Sequence, residues 1–292
     1  MTFSGESSSY EPGICYDTPE ILNQLDYELT LTPISAETHG KTRIRPLTSY
    51  AFAAGRPLVQ ICANEIVAFC HEIPVVFVPD GQEFSLAALT GLGSDRNILI
   101  DEAGRWHGSH TPSIWRRGPF RLASIEGGEE NRLALCLDDS SDQISESEGL
   151  PLFDESGVPT KLLKDASSIL GKLEADLRQT RELCKTLNAM GLLAPWPLEV
   201  VQPNGDKTQL TGFYQVDEPK IGELTGDQLV TLRNIGGLAV IYAHLLSLGK
   251  IKTLAHITQQ LAARDKQREA VRGNKVDLDR AFGIIEDDPF VF

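Results

Sequence analysis

The sequence predicts an α+β fold: a mixed or antiparallel sheet of short strands, packed with one long amphipathic helix and a C-terminal helical segment. Three observations carry this. Short apolar runs bounded by Pro, Gly and Asp recur between Pro74 and Asp138. One stripe of apolar residues at helical spacing extends from Leu163 to Leu187. Beyond Thr225 the pattern stays helical, interrupted only at glycines. Strands and helices that occupy separate stretches of a chain give α+β rather than alternating α/β architectures. With 292 residues and an apolar fraction of 41%, the chain is long enough to bury a substantial core.

Residues 1–45 read as a mobile or partly ordered N-terminal extension. They are rich in Ser, Glu and Pro up to Pro19, and only Tyr27 to Thr32 alternates like a strand. A domain over 46–260 follows. Leu58 to Phe69 suits a helix, with Val59, Ile61, Cys62, Ile66, Val67 and Phe69 as its apolar positions. Val75 to Val78 is a continuous apolar run ended by Pro79-Asp80-Gly81, the pattern of a buried strand and a turn. Phe84–Leu92 and Asn97–Asp101 are further strands. Phe120–Ile125 and Arg132–Asp138 form a hairpin around Glu126-Gly127-Gly128. The stretch from Asp138 to Glu155 holds seven carboxylates and no cation, and reads as a solvated loop. It fails the calcium-loop pattern, because Gln143 stands where glycine is required.

Pro159 precedes the long helix, whose apolar positions are Leu163, Ala166, Ile169, Leu170, Leu173, Leu177, Cys184 and Leu187, and Gly191 closes it. Leu198–Val201 and Thr208–Val216 are two strands about Pro203-Asn204-Gly205. Thr225 with Gln228 makes a capping box. Helices over about 226–234 and 237–247 break at Gly236-Gly237, and another starts near Ile251. Residues 261–292 are a helical end and an acidic, aromatic tail finishing Pro289-Phe290-Val291-Phe292.

The net charge of −14 argues against nucleic acid, whose phosphates require clustered Lys and Arg. There is no 18-residue apolar run for a membrane span. Met1 to Gly13 lacks the features of a secretion signal. The five scattered cysteines lack a CxxC pair and read as reduced thiols, so the expected location is cytoplasmic. No cofactor is expected. His107 and His110 form an HxxH pair that needs a third ligand, such as Asp101 or Glu102, and no metal site is expected. Nucleotide-loop, serine-elbow and zinc-protease patterns are missing. Arg116 and Arg117 follow Trp115 and suit a carboxylate or phosphate, or ion pairs with the acidic loop. Tyr242 and His244 lie in an apolar helix, where buried polar groups bond inward.

Several segments in order resemble the SapC family of bacterial proteins. They are Ser49-Tyr50-Ala51-Phe52-Ala53-Ala54-Gly55, Ile73-Pro74-Val75-Val76-Phe77-Val78, Leu99-Ile100-Asp101 with Gly104-Arg105-Trp106, and Trp115-Arg116-Arg117-Gly118-Pro119-Phe120. The run from Ser145 to Asp154, Gly212-Phe213-Tyr214-Gln215-Val216-Asp217-Glu218, and Ile241 to Leu248 complete the set. The resemblance covers about Leu47 to Leu254. It implies an accessory role linked to surface-layer or outer-membrane-associated systems, without a catalytic activity to carry over. It singles out a polar set of Arg116, Arg117, Glu148, Tyr214 and His244. The first expectation is therefore a binding protein for a peptide or protein partner, with Phe290 and Phe292 as a second contact. The alternative is an enzyme acting on a peptide or small acid through convergence of Arg116, Tyr214 and His244.

Overall fold

The computed structural model describes residues 30–92, 96–124, 133–201 and 207–281. In chain order its elements are β1 (Leu31–Pro33), α1 (Ala36–His39), β2 (Arg43–Ile44), β3 (Leu58–Gln60), α2 (Ile66–Phe69), β4 (Val75–Asp80) and β5 (Glu83–Leu89). Then come α3 (Ser113–Arg116), β6 (Phe120–Ser124), β7 (Leu133–Asp138), β8 (Ile144–Ser145), β9 (Leu150–Pro151) and the long α4 (Lys161–Ala189). The remainder is β10 (Leu193–Pro195), β11 (Leu198–Val201), β12 (Lys207–Leu210), β13 (Tyr214–Val216), α5 (Glu218–Ile221), α6 (Gly226–Asn234), α7 (Gly237–Leu248) and α8 (Ile251–Ala281). The class is α+β, and every strand pairing is antiparallel.

The central sheet has the order β10-β13-β4-β5-β3. Its middle strands are apolar on both faces because both faces are covered. Val75, Phe77, Leu86 and Ala88 meet α2, α7 and the C-terminal half of α4, through Phe69, Ile241, Leu183 and Leu187. Val76, Val78, Ala87 and Leu89 meet Leu198, Leu210, Phe213 and Leu254 on the other side. That is why Val75–Val78 reads as an unbroken apolar run rather than an alternating one. A second sheet, β1-β7-β6, and a small one, β8-β2-β9, pack on the N-terminal half of α4.

Four expectations change. Leu58–Gln60 is a strand paired with Ala87–Leu89, and helix begins only at Ala63. Every apolar side chain from Leu58 to Cys62 is buried, so no helical face is distinguished there. Asn97–Asp101 is no strand: the Asn97 side chain accepts from the Leu99 N–H, and Asp101 accepts from Ala103 and Arg105, which curls the segment into turns. Thr208–Val216 is divided between β12 and β13, because Gly212 adopts φ +92°. Within the acidic loop, β8 and β9 pair with the two edges of β2. The long helix, the Phe120–Asp138 hairpin strands and the Thr225–Gln228 capping box form as expected.

His244 and Ser247 fasten α7 to the sheet. His244 is fully buried; its Nδ1–H donates to the Val75 carbonyl at 2.9 Å, and its Nε2 accepts the Val216 N–H at 3.1 Å. Ser247 Oγ accepts the Val75 N–H at 3.0 Å. Burial pushes the imidazole pKa down from 6.5 to about 4, so it is neutral in the folded chain. As pH falls, the unfolded chain takes up this proton first. Stability from His244 is full above pH 6.5 and should decline by about 1.4 kcal/mol per pH unit toward pH 4. Urea unfolding across that range should show this slope in the wild type and lose it in H244Q; equal slopes would refute the assignment. His244→Ala, which orphans both backbone groups, should cost about 2–4 kcal/mol.

Candidate functional site

The site starts from one buried carboxylate. Cys62-Ala63-Asn64-Glu65 opens the helical turn before α2, and Glu65 Oε2 accepts the Cys62 N–H at 3.0 Å. Its Oε1 accepts the Ser113 N–H at 2.8 Å and the His110 Nε2–H at 2.9 Å, with Arg116 Nη2 at 3.6 Å. Burial opposes the charge, but the Cys62 N–H, the His110 ring and Ser113 together hold the Glu65 carboxyl below the usual carboxylate range. An ionised carboxylate only accepts, so the proton on that contact belongs to His110 Nε2. Glu65 thereby anchors the whole 110–116 segment.

An aromatic platform holds the same segment from the other side. Trp115 packs against Trp106, Tyr50 and Phe52 at ring separations of 5.0, 5.8 and 6.0 Å. Gly104 permits this approach: a Cβ there would lie 2.1 Å from Ser49 Oγ, and the Gly104 carbonyl accepts the Tyr50 N–H at 2.7 Å.

Two adjoining cavities flank Arg116. The inner one, about 400 Å³, is walled by Glu65, His110, Ser113, Arg116, Lys172 and Asp176. The outer one, about 340 Å³, is more apolar; Leu47, Phe120, Leu150 and Ile169 line it with Arg45 and Arg117. Arg116 and Ile169 belong to both, so the two form one groove between α4 and the Trp115–Phe120 segment. Arg116 also bonds Ser113 Oγ.

Of the residues expected from sequence, Arg116 and Arg117 come together in this groove. Glu148 stands at its rim, 3.8 Å from Arg45. Tyr214 and His244 line neither cavity: Tyr214 packs edge-on against Phe84 at 4.8 Å, and His244 is in the core. The expected convergence of Arg116, Tyr214 and His244 does not occur. Tyr242 is exposed rather than bonded inward. Phe290 and Phe292 lie outside the described residues. His107 pairs with Asp101 at 3.0 Å while His110 pairs with Glu65, so the two histidines serve different carboxylates. Among the described residues no three His, Cys, Asp or Glu side chains form a metal-binding group. Burial pushes the Cys62 and Cys184 thiols up to about 12 and raises Cys70 and Cys136, which leaves no nucleophilic thiolate among them.

Sequence reasoning passed over Glu65, Lys172 and Arg45, and counted Ile169 with the apolar stripe of α4, whereas it is half exposed and lines both cavities. Glu65 had a signal in the three-residue spacing from Cys62, which is that of a capping box. Glu65→Gln should destabilise the chain by about 2–3 kcal/mol at pH 7, since three N–H donors lose a charged acceptor. With the folded pKa depressed, that difference should shrink as pH falls below 4.5, the value for the unfolded group. Urea titrations of the two proteins at pH 7 and pH 4 measure it.

No curated protein and no solved structure significantly matches the chain. The family model for SapC matches residues 34–254, a span that includes the central sheet, α4 and every residue lining the groove. The chain therefore belongs to the SapC family.

Proposed function

We propose that this protein is a non-catalytic accessory protein that binds a peptide segment of a partner in the groove beside Arg116. The observation that supports it most is the continuity of a polar, cation-bearing cavity with an apolar one through Arg116 and Ile169. An extended peptide would place an apolar side chain against Leu47, Leu150 and Ile169. It would place a carboxylate against Arg116, Arg117 or Lys172, where guanidinium groups form paired, charge-assisted bonds. A cytoplasmic location and a link to surface-layer or outer-membrane-associated systems belong to the same proposal. The four cysteines among the described residues are buried and unpaired, which agrees with a reducing compartment.

One observation favours the enzymatic alternative. Glu65 and His110 form a carboxylate–imidazole pair at the wall of the inner cavity, beside a cation. That reading would rest on residues other than Tyr214 and His244.

A fluorescent library of random decapeptides should yield ligands combining apolar and acidic residues. Leu150 and Ile169 are 63% and 50% exposed, so L150E and I169E should leave the fold intact. Each variant, and R117E, should weaken the selected peptides at least tenfold by fluorescence anisotropy, with unchanged circular dichroism. Tyr242→Ser and Leu246→Ser, on the exposed apolar side of α7, should leave binding unaltered. Equal binding by wild type and the groove variants would sink the proposal.

A further inference from the structure

Charge is spread unevenly along this chain. Its 41 acidic residues outnumber its 27 basic ones, yet from Gln228 to Ala263 there is no carboxylate, and Arg233, Lys250 and Lys252 stand in that stretch. Among the described residues none of the three forms an ion pair. The stretch builds α6, α7 and the first turns of α8, and α7 has no charged side chain at all. A helix whose surface is apolar all round is a buried helix. Here α7 is buried on one side only.

Val240, Ile241, Ala243, His244 and Ser247 form that buried side. Tyr242 and Leu246, four residues apart, share the opposite face and are 56% and 70% exposed. On α6, Leu232 is buried while Leu229, Val230 and Arg233 turn outward. Leu232, Val240 and Ile241 belong to one core cluster, so both helices turn their outer faces away from the same interior. Cations fringe this apolar surface. Arg233 lies one turn beyond Leu229, and Lys250 and Lys252 follow Leu246 at the junction of α7 and α8. Asp227 is two residues from Leu229 and so lies on the other side of α6. No single described helix is long and apolar enough to cross a membrane. The pair α6 and α7 reaches that length and composition only jointly, and the two are bent by 87°. Two helices at that angle do not make one spanning rod, but they can lie together along a surface.

We propose that the outer face of α6 and α7 docks this protein on an anionic membrane surface. Leu229, Val230, Tyr242 and Leu246 enter the boundary between headgroups and acyl chains, and Arg233, Lys250 and Lys252 meet the lipid phosphates. A fluid surface takes a broad apolar face without a matching shape, and its headgroup layer suits a tyrosine ring. The net charge of −14 does not oppose this. At physiological salt, exposed charges beyond about 8 Å are largely screened, so the local cations decide. Neither signal suffices alone, because a small apolar anchor by itself holds only marginally. The docking face is separate from the groove: no residue of α6 or α7 lines either cavity.

The test uses the full chain and flotation with vesicles of phosphatidylcholine alone or mixed with phosphatidylglycerol. The wild type should bind the mixed vesicles at least tenfold more tightly than the neutral ones, and 0.5 M NaCl should remove most of that preference. L246E should weaken binding to the mixed vesicles at least tenfold, and K250E/K252E at least threefold, with unchanged circular dichroism. Leu133→Glu, equally exposed on β7, should bind like the wild type. Tyr242→Trp should be quenched by lipid brominated on its acyl chains, which contact with headgroups alone would not produce. No binding to mixed vesicles, or equal binding by L246E and K250E/K252E, would overturn the inference. So would binding of polyglutamate but not of vesicles, which would give the face to an acidic protein, or a wild-type dimer in sedimentation that L246E dissolves. Peptide binding in the groove is read in a separate assay, so either proposal can fail alone.

Discussion

The apolar stripe of α4, from Leu163 to Leu187, is the constraint that holds three separate sheets in one body. Its 29 residues make a rod of about 43 Å. Leu163, Ala166 and Leu170 pack on β7 and the Leu152–Phe153 segment. Leu173 and Leu177 meet Cys62, and Leu183, Cys184 and Leu187 reach the central sheet. Among the described residues these sheets share no ladder with one another, and this helix packs against all three. A buried leucine shortened to alanine costs about 2–5 kcal/mol, a large part of a net stability of about 5–15 kcal/mol. Few positions on this stripe can change without loosening the arrangement of the sheets.

The groove follows from the same rod through polar joints rather than apolar ones. Thr180 on α4 accepts the Ala63 N–H at 2.8 Å, so the turn that carries Glu65 is tied directly to the helix. Glu65 then ties that turn to Ser113 and His110. Arg116 is thereby placed two hydrogen-bonded steps from α4, facing Ile169 and Lys172 on the same helix. A carboxylate buried to this degree is costly unless each lone pair is used, and here both oxygens are occupied. Replacing it with an apolar residue would preserve volume but release the segment that bears the arginines. A geometric task of this kind accounts for a charge in an otherwise apolar neighbourhood better than a gain in stability does.

Legibility in the sequence tracked how local each determinant is. The period of α4 is visible because every buried contact repeats at three or four residues. The Thr225 cap is visible because both of its hydrogen bonds close within four residues. The strand at Leu58–Gln60 was read as helix because its partner lies nearly thirty residues away and its apolar run has no periodicity. Turns at Asn97 and Asp101 were read as strand because their side-chain bonds to nearby N–H groups leave no mark in the apolar pattern. Arg116 and Arg117 were singled out from sequence and line the groove, yet Glu65, the carboxylate that faces Arg116, lies about fifty residues upstream. His244 was legible as a buried polar group in an apolar helix, but its sequence setting did not distinguish a pocket wall from a peg holding α7 to β4.

The family segments clarify that last ambiguity, because the fold divides them into two spatial groups. Ile73–Val78, Gly212–Glu218 and Ile241–Leu248 meet where His244 joins the Val75 carbonyl to the Val216 N–H. The buried members of that group are core, and His244 and Ser247 among them satisfy backbone groups. Ser49–Gly55, Gly104–Trp106 and Trp115–Phe120 meet in the cluster of Tyr50, Phe52, Trp106 and Trp115 beneath Arg116. The Ser145–Asp154 run borders the same groove through Leu150 and through Glu148 at Arg45. Here the aromatic packing is spent on a short helix of four residues that contributes little burial of its own beyond Ile114 and Trp115. Three aromatic rings, from Tyr50, Phe52 and Trp106, and a buried carboxylate converge on this small element and its own Trp115. What they secure is the position of Arg116 and Arg117, the preorganisation on which the proposed binding role depends.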